Sequence, residues 1–118
     1  MFKPSKLKLL LPLENPLVIY PELAKRIGLN EAIILQQLHY WLKENENKED
    51  HIKKGFVWSY NTIEEWQKNF PFWSEKTIRR IFENLVEIGL VIKENLNNNK
   101  QIQTKWYTIN YDRFTALS

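Results

Sequence analysis

The 118-residue sequence contains no cysteine, only three glycines and only two histidines. The lack of cysteine excludes disulfides and thiolate metal sites, as is usual for cytoplasmic proteins. Three glycines and five prolines are too few for a long flexible linker. No run approaches the ~20 apolar residues that span a membrane, and the apolar run at 9–11 is too short for a signal peptide. These absences predict a soluble, unprocessed, cytoplasmic protein.

Aromatic residues are abundant, with five Trp, five Tyr and six Phe, which predicts an aromatic-rich core. The length suits one domain. Seventeen Lys and Arg against fourteen Asp and Glu give a net charge of +3. This mildly basic balance is compatible with nucleic-acid binding but is not sufficient evidence for it.

The clearest helix signal lies at residues 74–89. Ser74 is a good N-cap because its hydroxyl can accept a hydrogen bond from the first turn. Apolar residues then recur at helical spacing, and Gly89 follows the last of them, where a left-handed residue commonly ends a helix. The pattern predicts an amphipathic helix over 75–88 with the buried stripe Ile78, Ile81, Phe82, Leu85 and Ile88.

The polar face of this helix has an unusual charge order. Lys76, Arg79 and Arg80 occupy the first two turns, whereas Glu83 and Glu87 occupy the last two. The helix dipole favours the reverse order. A phosphate backbone at the N-terminal end would explain the placement. The alternative is a solvated helix whose charge order is accidental.

The N-terminal half is predicted to contain an arm, two helices and a charged loop. Residues 1–15 alternate Lys and Leu, which predicts an extended arm that crosses its own domain, pairs with a neighbouring subunit in a homo-oligomer, or is a partly ordered terminus. A short helix follows Pro21 and ends at Gly28, and Asn30 is predicted to cap a long, deeply packed second helix. Residues 44–55 are predicted to be a charged, nearly featureless loop.

The histidines do not suggest a metal site. No carboxylate is spaced with His39 or His51 as in a metal-binding helix motif. We therefore predict that His39 is a partly buried structural residue and His51 a loop residue. No Ser-His-Asp set or phosphate-binding glycine loop is present either, so neither an enzyme nor a cofactor is predicted.

The second half has the order strand, helix, turn, helix, strand, turn, strand. Residues 56–60 have a strand pattern, and Thr62 with Glu65 forms a capping box for a helix that Pro71 ends. After the 75–88 helix, residues 90–95 and 105–111 predict a hairpin with a polar turn at 97–99, followed by a tail at 112–118. Two helices across a short turn form a helix-turn-helix, and a following hairpin matches a wing.

The predicted fold is therefore α+β and mostly helical. It is a winged helix-turn-helix with a C-terminal β-hairpin wing and a short strand before the helix-turn-helix. The predicted organisation is an arm at 1–15, the winged-helix domain at 16–114 and a tail at 115–118.

The segments 20–42, 57–92 and 104–114 resemble the N-terminal domain of phage replisome-organiser proteins, which are DnaD-like replication-initiation proteins. The FPFWS turn and the KWYTINY strand make the resemblance specific, although residues 69–72 replace the glycine typical of the turn. It implies a winged helix that binds origin DNA. Contacts with replisome proteins are expected only through a further domain that this sequence does not contain.

On this interpretation the 75–88 helix contacts the major groove of double-stranded DNA, where Arg can recognise guanine and Asn adenine. The N-terminus of this helix is predicted to contact DNA phosphates. The wing is predicted to contact the DNA backbone or the minor groove. The predicted DNA-binding residues are Ser74, Lys76, Thr77, Arg79, Arg80, Asn84, Lys93, Asn98, Lys100 and Lys105.

Two alternatives stay open at this stage. A transcriptional regulator would use the same chemistry, and only the resemblance favours replication. A protein-interaction or oligomerisation winged helix that does not touch DNA is favoured by Glu83, Glu87 and the low net charge.

Overall fold

The computed structural model describes residues 16–117, with side chains through Thr115, and about half of these residues are in α-helices. The predicted α+β class is thus confirmed. The helices are α1 (Pro21–Ile27), α2 (Leu29–Asn45), α3 (Ile63–Asn69), α4 (Glu75–Glu87) and α5 (Tyr111–Leu117), with a 3-10 turn at Glu49–His51. The strands are β1 (Ile52–Lys53), β2 (Phe56–Val57), β3 (Val91–Glu94) and β4 (Trp106–Ile109). The predicted arm at 1–15, with its oligomer contact, lies outside the described residues.

The strands form two antiparallel hairpins, β1–β2 and β3–β4. In the second hairpin Val91 pairs with Ile109 and Glu94 with Trp106, which confirms the hairpin predicted around a polar turn. The strand predicted at 56–60 is shorter in the structure. Only Phe56–Val57 forms a strand, β2, and Ser59 makes an isolated bridge to Tyr107. That bridge places the segment after β2 alongside β4.

The helices on either side of the 70–73 turn form as their capping signals predict. In α3 the Oγ1 of Thr62 accepts a hydrogen bond from the Glu65 backbone at 3.1 Å, and the Glu65 carboxylate accepts one from the Thr62 backbone at 3.0 Å. In α4 the Oγ of Ser74 accepts from the Thr77 backbone at 3.1 Å. Gly89, with φ of 84°, follows the C-cap of α4.

The prediction that Asn30 caps the second helix is wrong. Helix α2 begins at Leu29, and its N-cap is Gly28, with φ of 106°, two residues before the predicted cap. Because glycine tolerates this backbone conformation, the chain turns from α1 into α2 through that single residue. Asn30 instead lies within the first turn of α2.

The prediction of a featureless loop at 44–55 is also wrong. Helix α2 continues to Asn45, and the β1–β2 hairpin turns through Lys54 and Gly55, both with positive φ. Positive φ at both central residues is typical of a tight hairpin turn. Trp58 holds the segment, because its backbone oxygen accepts from Asn45 Nδ2 at 3.1 Å and its indole N–H donates to the Lys53 carbonyl at 2.8 Å.

The predicted tail at 112–118 contains helix α5. The Asn110 carboxamide oxygen accepts a hydrogen bond from the Arg113 backbone at 3.2 Å, as an N-cap does. The Arg113 guanidinium donates to the Ile88 carbonyl at 3.2 Å, beyond the end of α4. The helix is thus held to the domain by contacts that lie far away in sequence.

The core lies between α2, α3, α4 and the β3–β4 hairpin, and it is aromatic-rich as predicted. Trp66 and Phe82 are 0% and 2% exposed. Their rings meet edge to face with centroids 4.9 Å apart. Trp106 is also buried. Within residues 16–117, no helix combines the length and apolarity required to cross a bilayer.

We expect Thr62→Ala to lower the free energy of unfolding by about 1 kcal/mol, because α3 loses the side-chain half of its capping box. Urea unfolding with an unchanged m-value measures this difference. Thr104→Ala is the matched control, since no hydrogen bond from the Thr104 hydroxyl is found among the described residues. The control should change stability by less than about 0.5 kcal/mol. Equal losses in the two variants would contradict the assignment.

Candidate nucleic-acid interface

One side of α4 is buried and the other presents charge. The buried side consists of Ile78, Ile81, Phe82 and Leu85, each 3% exposed or less. On the opposite side the cations Lys76, Arg79 and Arg80 are all exposed, so none of the strands that the structure describes covers them.

The three cations differ in their surroundings. Lys76 and Arg80 have no hydrogen bond or ion pair with any residue that the structure describes. Arg79 pairs with Glu75, one turn back, at 3.4 Å between Nη2 and Oε1. Such exposed pairs contribute little to stability and are easily exchanged. Lys76 and Arg80 are therefore immediately available to a polyanion, whereas Arg79 must first leave Glu75.

The N-terminus of α4 is partly occupied by its own cap. The Ser74 hydroxyl accepts from the Thr77 backbone and donates to the Thr77 hydroxyl at 3.1 Å. The backbone N–H groups of Glu75 and Lys76 have no protein acceptor in the described part of the chain. These two amides, rather than the Ser74 side chain, are the donors that an incoming phosphate oxygen would meet.

Asn84 lies on the flank of α4 that faces α2. Its Nδ2 donates to the Glu31 carboxylate at 2.9 Å, across 53 residues of sequence. The predicted groove contact by Asn84 therefore requires this inter-helix hydrogen bond to break. Sequence spacing placed Asn84 on the polar face, but it could not reveal that the first turn of α2 lies beside it.

The β3–β4 hairpin brings further cations next to α4. Lys93 is exposed on β3, and Lys105 is half-buried just before β4. In the loop between the strands Asn98 is exposed, and Lys100 donates from its ammonium to the Asn95 carbonyl at 2.6 Å. Asn98 thus points to solvent, whereas the ammonium of Lys100 already bonds to its own loop.

A cleft of about 380 Å³ separates the hairpin from α4 and the start of α3. Its lining contains equal numbers of cations and carboxylates: Arg79, Lys93 and Lys105 against Glu64, Glu75 and Glu83. A balanced lining offers both hydrogen-bond donors and acceptors. This composition suits groups such as base edges or a peptide better than a bare phosphate.

Tyr107 lies at the base of this cleft, where its ring stacks on Phe82 with centroids 4.4 Å apart. Burial raises the pKa of the Tyr107 phenol from 10.0 to about 12, with a smaller opposing effect from Arg79 and a smaller raising effect from Glu83. The phenol is therefore neutral at any physiological pH.

This pKa shift predicts a pH dependence of stability. Between about pH 10 and about pH 12 the folded chain keeps a proton on Tyr107 that the unfolded chain has released, so the free energy of unfolding falls as pH rises. Tyr107→Phe should reduce this alkaline loss. Urea unfolding of both proteins at about pH 9 and about pH 11 measures it. An identical pH dependence of the two proteins would contradict the shift.

Asn97 organises the hairpin loop, a role that the sequence did not predict. Its carboxamide oxygen accepts from the Trp106 indole N–H at 2.9 Å, and its Nδ2 donates to the carbonyls of Ile102 and Thr104 at 3.1 and 2.8 Å. The sequence pattern predicts Asn97 only as one residue of the polar turn at 97–99. The loop contacts instead leave Asn98 as the asparagine directed to solvent.

We expect Asn97→Ala to lower the free energy of unfolding by about 1–3 kcal/mol, because the Trp106 N–H loses its acceptor. Asn98→Ala removes the same groups from a side chain without these contacts, and should change stability by less than about 0.5 kcal/mol. Thermal and urea unfolding measure both variants. Similar stabilities of the two would show that Asn97 does not organise the loop.

The turn between α3 and α4 forms without glycine. Trp73 donates its backbone N–H to the Phe70 carbonyl at 3.0 Å. No residue from 70 to 73 has positive φ. The turn therefore needs no glycine, and the residues at 69–72 join α3 to α4 without one. Phe72 is left 60% exposed at the turn, beside the N-terminus of α4.

The histidines have structural partners. His39 Nδ1 lies 2.8 Å from the Tyr111 hydroxyl, which links α2 to α5. His51 Nδ1 lies 3.0 Å from the Trp58 carbonyl, and its ring stacks on Tyr60. In the part of the chain described, no three His, Asp or Glu side chains are grouped as a metal site requires.

Comparisons of the chain with protein-family models, with curated proteins and with solved structures return no match. The function is therefore inferred from the chain's own residues and from its resemblance to replisome-organiser proteins.

Proposed function

We propose that this chain is a DNA-binding domain of the winged-helix type. In this proposal α3, the 70–73 turn and α4 form the helix-turn-helix, α4 enters the major groove, and the β3–β4 hairpin is the wing. The resemblance to replisome-organiser proteins favours origin duplex DNA, and thus a role in phage-type replication initiation.

The observation that carries the proposal is the exposure of Lys76 and Arg80 without a bonded partner in the described part of the chain. Both lie in the first two turns of a helix whose other side is buried, and both are exposed without a partner among the described residues. Cations at this end do not favour the helix itself, because the dipole there is positive. A polyanion at this surface would compensate that cost.

The surface formed by Lys76 and Arg80 continues toward the wing through three more cations, Arg79, Lys93 and Lys105. These cations line the cleft between α4 and the hairpin. A DNA strand that passes along the cleft would meet them in turn, while Glu64, Glu75 and Glu83 would oppose it. We therefore assign base contacts to Arg80 and to Arg79 once released from Glu75, and phosphate contacts to Lys76 and the hairpin lysines.

A protein-interaction function is the second candidate. Glu83 and Glu87 are exposed further along α4, so the exposed side of the helix is cationic at one end and anionic at the other. A stripe with opposite charges at its two ends is complementary to a protein surface with the reverse charge order. It is less complementary to a uniform polyanion such as DNA.

We expect Arg79→Ala and Arg80→Ala each to weaken specific duplex binding by roughly 1–3 kcal/mol if the arginine contacts a base, and Lys76→Ala to reduce the salt slope by about 1. The measurement is fluorescence anisotropy of a labelled duplex over a range of salt concentrations. Log affinity should fall linearly with log salt as counterions are released.

Lys43→Ala is the charge-matched control, because Lys43 is an exposed cation in the last turn of α2 and outside the proposed surface. Its affinity and salt slope should equal those of the unmodified protein. Affinities unchanged in all three α4 variants, with circular dichroism showing intact folds, would refute the assignment of α4 as the DNA-contacting helix. An absence of binding even at low salt would favour the protein-interaction function.

A further inference from the structure

A second cleft lies between the C-terminal end of α2 and the start of α3, with a volume of about 270 Å³. Its lining includes Trp41, Glu44, Asn45, Lys48 and Glu65. None of the predicted DNA-binding residues lines it. This cleft is therefore separate from the surface proposed to bind DNA.

Trp41 supplies an aromatic wall. The residue is half-buried, and its ring packs on Trp66 with centroids 4.4 Å apart, which fixes its position. The electron-rich face of an indole attracts organic cations more strongly than any other side-chain ring.

Two carboxylates and one amide oxygen accompany this wall. Glu65 is held by the Thr62 backbone N–H, and this hydrogen bond, the largest cause, lowers the pKa of the Glu65 carboxyl, so it is ionised at neutral pH. Glu44 raises the pKa of the Tyr40 phenol by a hydrogen bond and by its charge. Glu44 thus accepts a hydrogen bond from a neutral phenol.

Asn45 is the buried member of the set. It is only 7% exposed, and its Nδ2 donates to the Trp58 carbonyl at 3.1 Å. That bond fixes the orientation of the carboxamide. Its Oδ1 has no hydrogen-bond donor among the described residues, although Asn45 lines the cleft. Trp66 Nε1 is the one fully buried side-chain polar atom without a partner among the described residues, so the Asn45 Oδ1 is open to the cleft and can accept a hydrogen bond there.

The charges in the cleft are not neutralised internally. Lys48 is the one lysine in the lining, yet neither it nor the two carboxylates takes part in an ion pair among the described residues. Lys68, which also acts on Glu65, lies outside the lining. The cleft therefore combines an aromatic wall with a local excess of negative charge in a chain whose net charge is +3.

We propose that this cleft binds a guanidinium or primary ammonium group. The Trp41 ring contacts the cation's flat or alkyl part, and Glu44, Glu65 and the Oδ1 of Asn45 accept its N–H groups. The group belongs either to an arginine or lysine of a partner protein or to a free small amine, which present the same chemistry.

The test is a ¹H–¹⁵N NMR titration of the intact chain with N-acetylargininamide, which carries one guanidinium and no other charge. We expect saturable shifts of the Trp41 indole and Asn45 carboxamide signals, with a millimolar Kd. The Trp41 signal is identified as the one that Trp41→Phe removes. Tetramethylammonium, which has no N–H donors, should shift these signals less at equal concentration.

Three variants with single charge changes sharpen the test. Glu44→Gln should weaken binding about two- to fivefold, as expected for one partly exposed ion pair, and Lys48→Gln should strengthen it by a similar factor. Glu46→Gln is the matched control, since Glu46 is an exposed carboxylate at the same end of α2 but does not line this cleft. Its Kd should equal that of the unmodified chain.

A peptide with one arginine among glycines distinguishes the two sources. Tighter binding of the peptide than of N-acetylargininamide assigns the site to a partner protein, and equal binding assigns it to a small amine. The absence of saturable shifts at Trp41 and Asn45, or equal weakening by Glu44→Gln and Glu46→Gln, would overturn the proposal.

Discussion

Phe82 lies where the elements that position α4 meet. Its ring contacts Trp66 of α3 edge to face at 4.9 Å and stacks on Tyr107 of β4 at 4.4 Å. Two rigid rings from different elements fix the rotation of the helix about its own axis, because aromatic contacts are sensitive to orientation. With Phe82 fixed in the core, the side chains on the opposite side of α4 face solvent. The exposure of Lys76 and Arg80 is a consequence of this buried contact.

The segment between the first hairpin and α3 contributes to two clefts, one beside α4 and one beside Trp41. Ser59 pairs with Tyr107 through two backbone hydrogen bonds of 2.8 and 2.9 Å, which join the segment to the second hairpin. A few residues later the capping box fixes Glu65 at the start of α3. Asn61 lines both the cleft beside α4 and the cleft beside Trp41. The same backbone thus lines a cleft with balanced charges and a second cleft with a local excess of negative charge.

Local signals were sufficient for much of the fold. The capping residues Thr62 and Ser74 and the stop at Pro71 set the boundaries of α3 and α4 within one residue, because caps act over only a few bonds. The β3–β4 hairpin followed from two β-rich runs around an asparagine turn. The errors arose where local signals compete. Gly28, not Asn30, is the N-cap of α2. The charged segment after α2 forms a hairpin, because the Trp58 indole N–H donates to the Lys53 carbonyl in it.

The sequence by itself determined which face of α4 is buried, and hence that its cations are exposed, since helical periodicity alone separates the two faces. Only the tertiary structure decided what lies beside each polar side chain. It paired Asn84 with Glu31 and placed the Asn97 carboxamide oxygen where the Trp106 indole N–H donates to it. It also left the Asn45 carboxamide oxygen at the edge of a cleft. These contacts join residues that periodicity cannot relate, because they depend on how separate elements pack together.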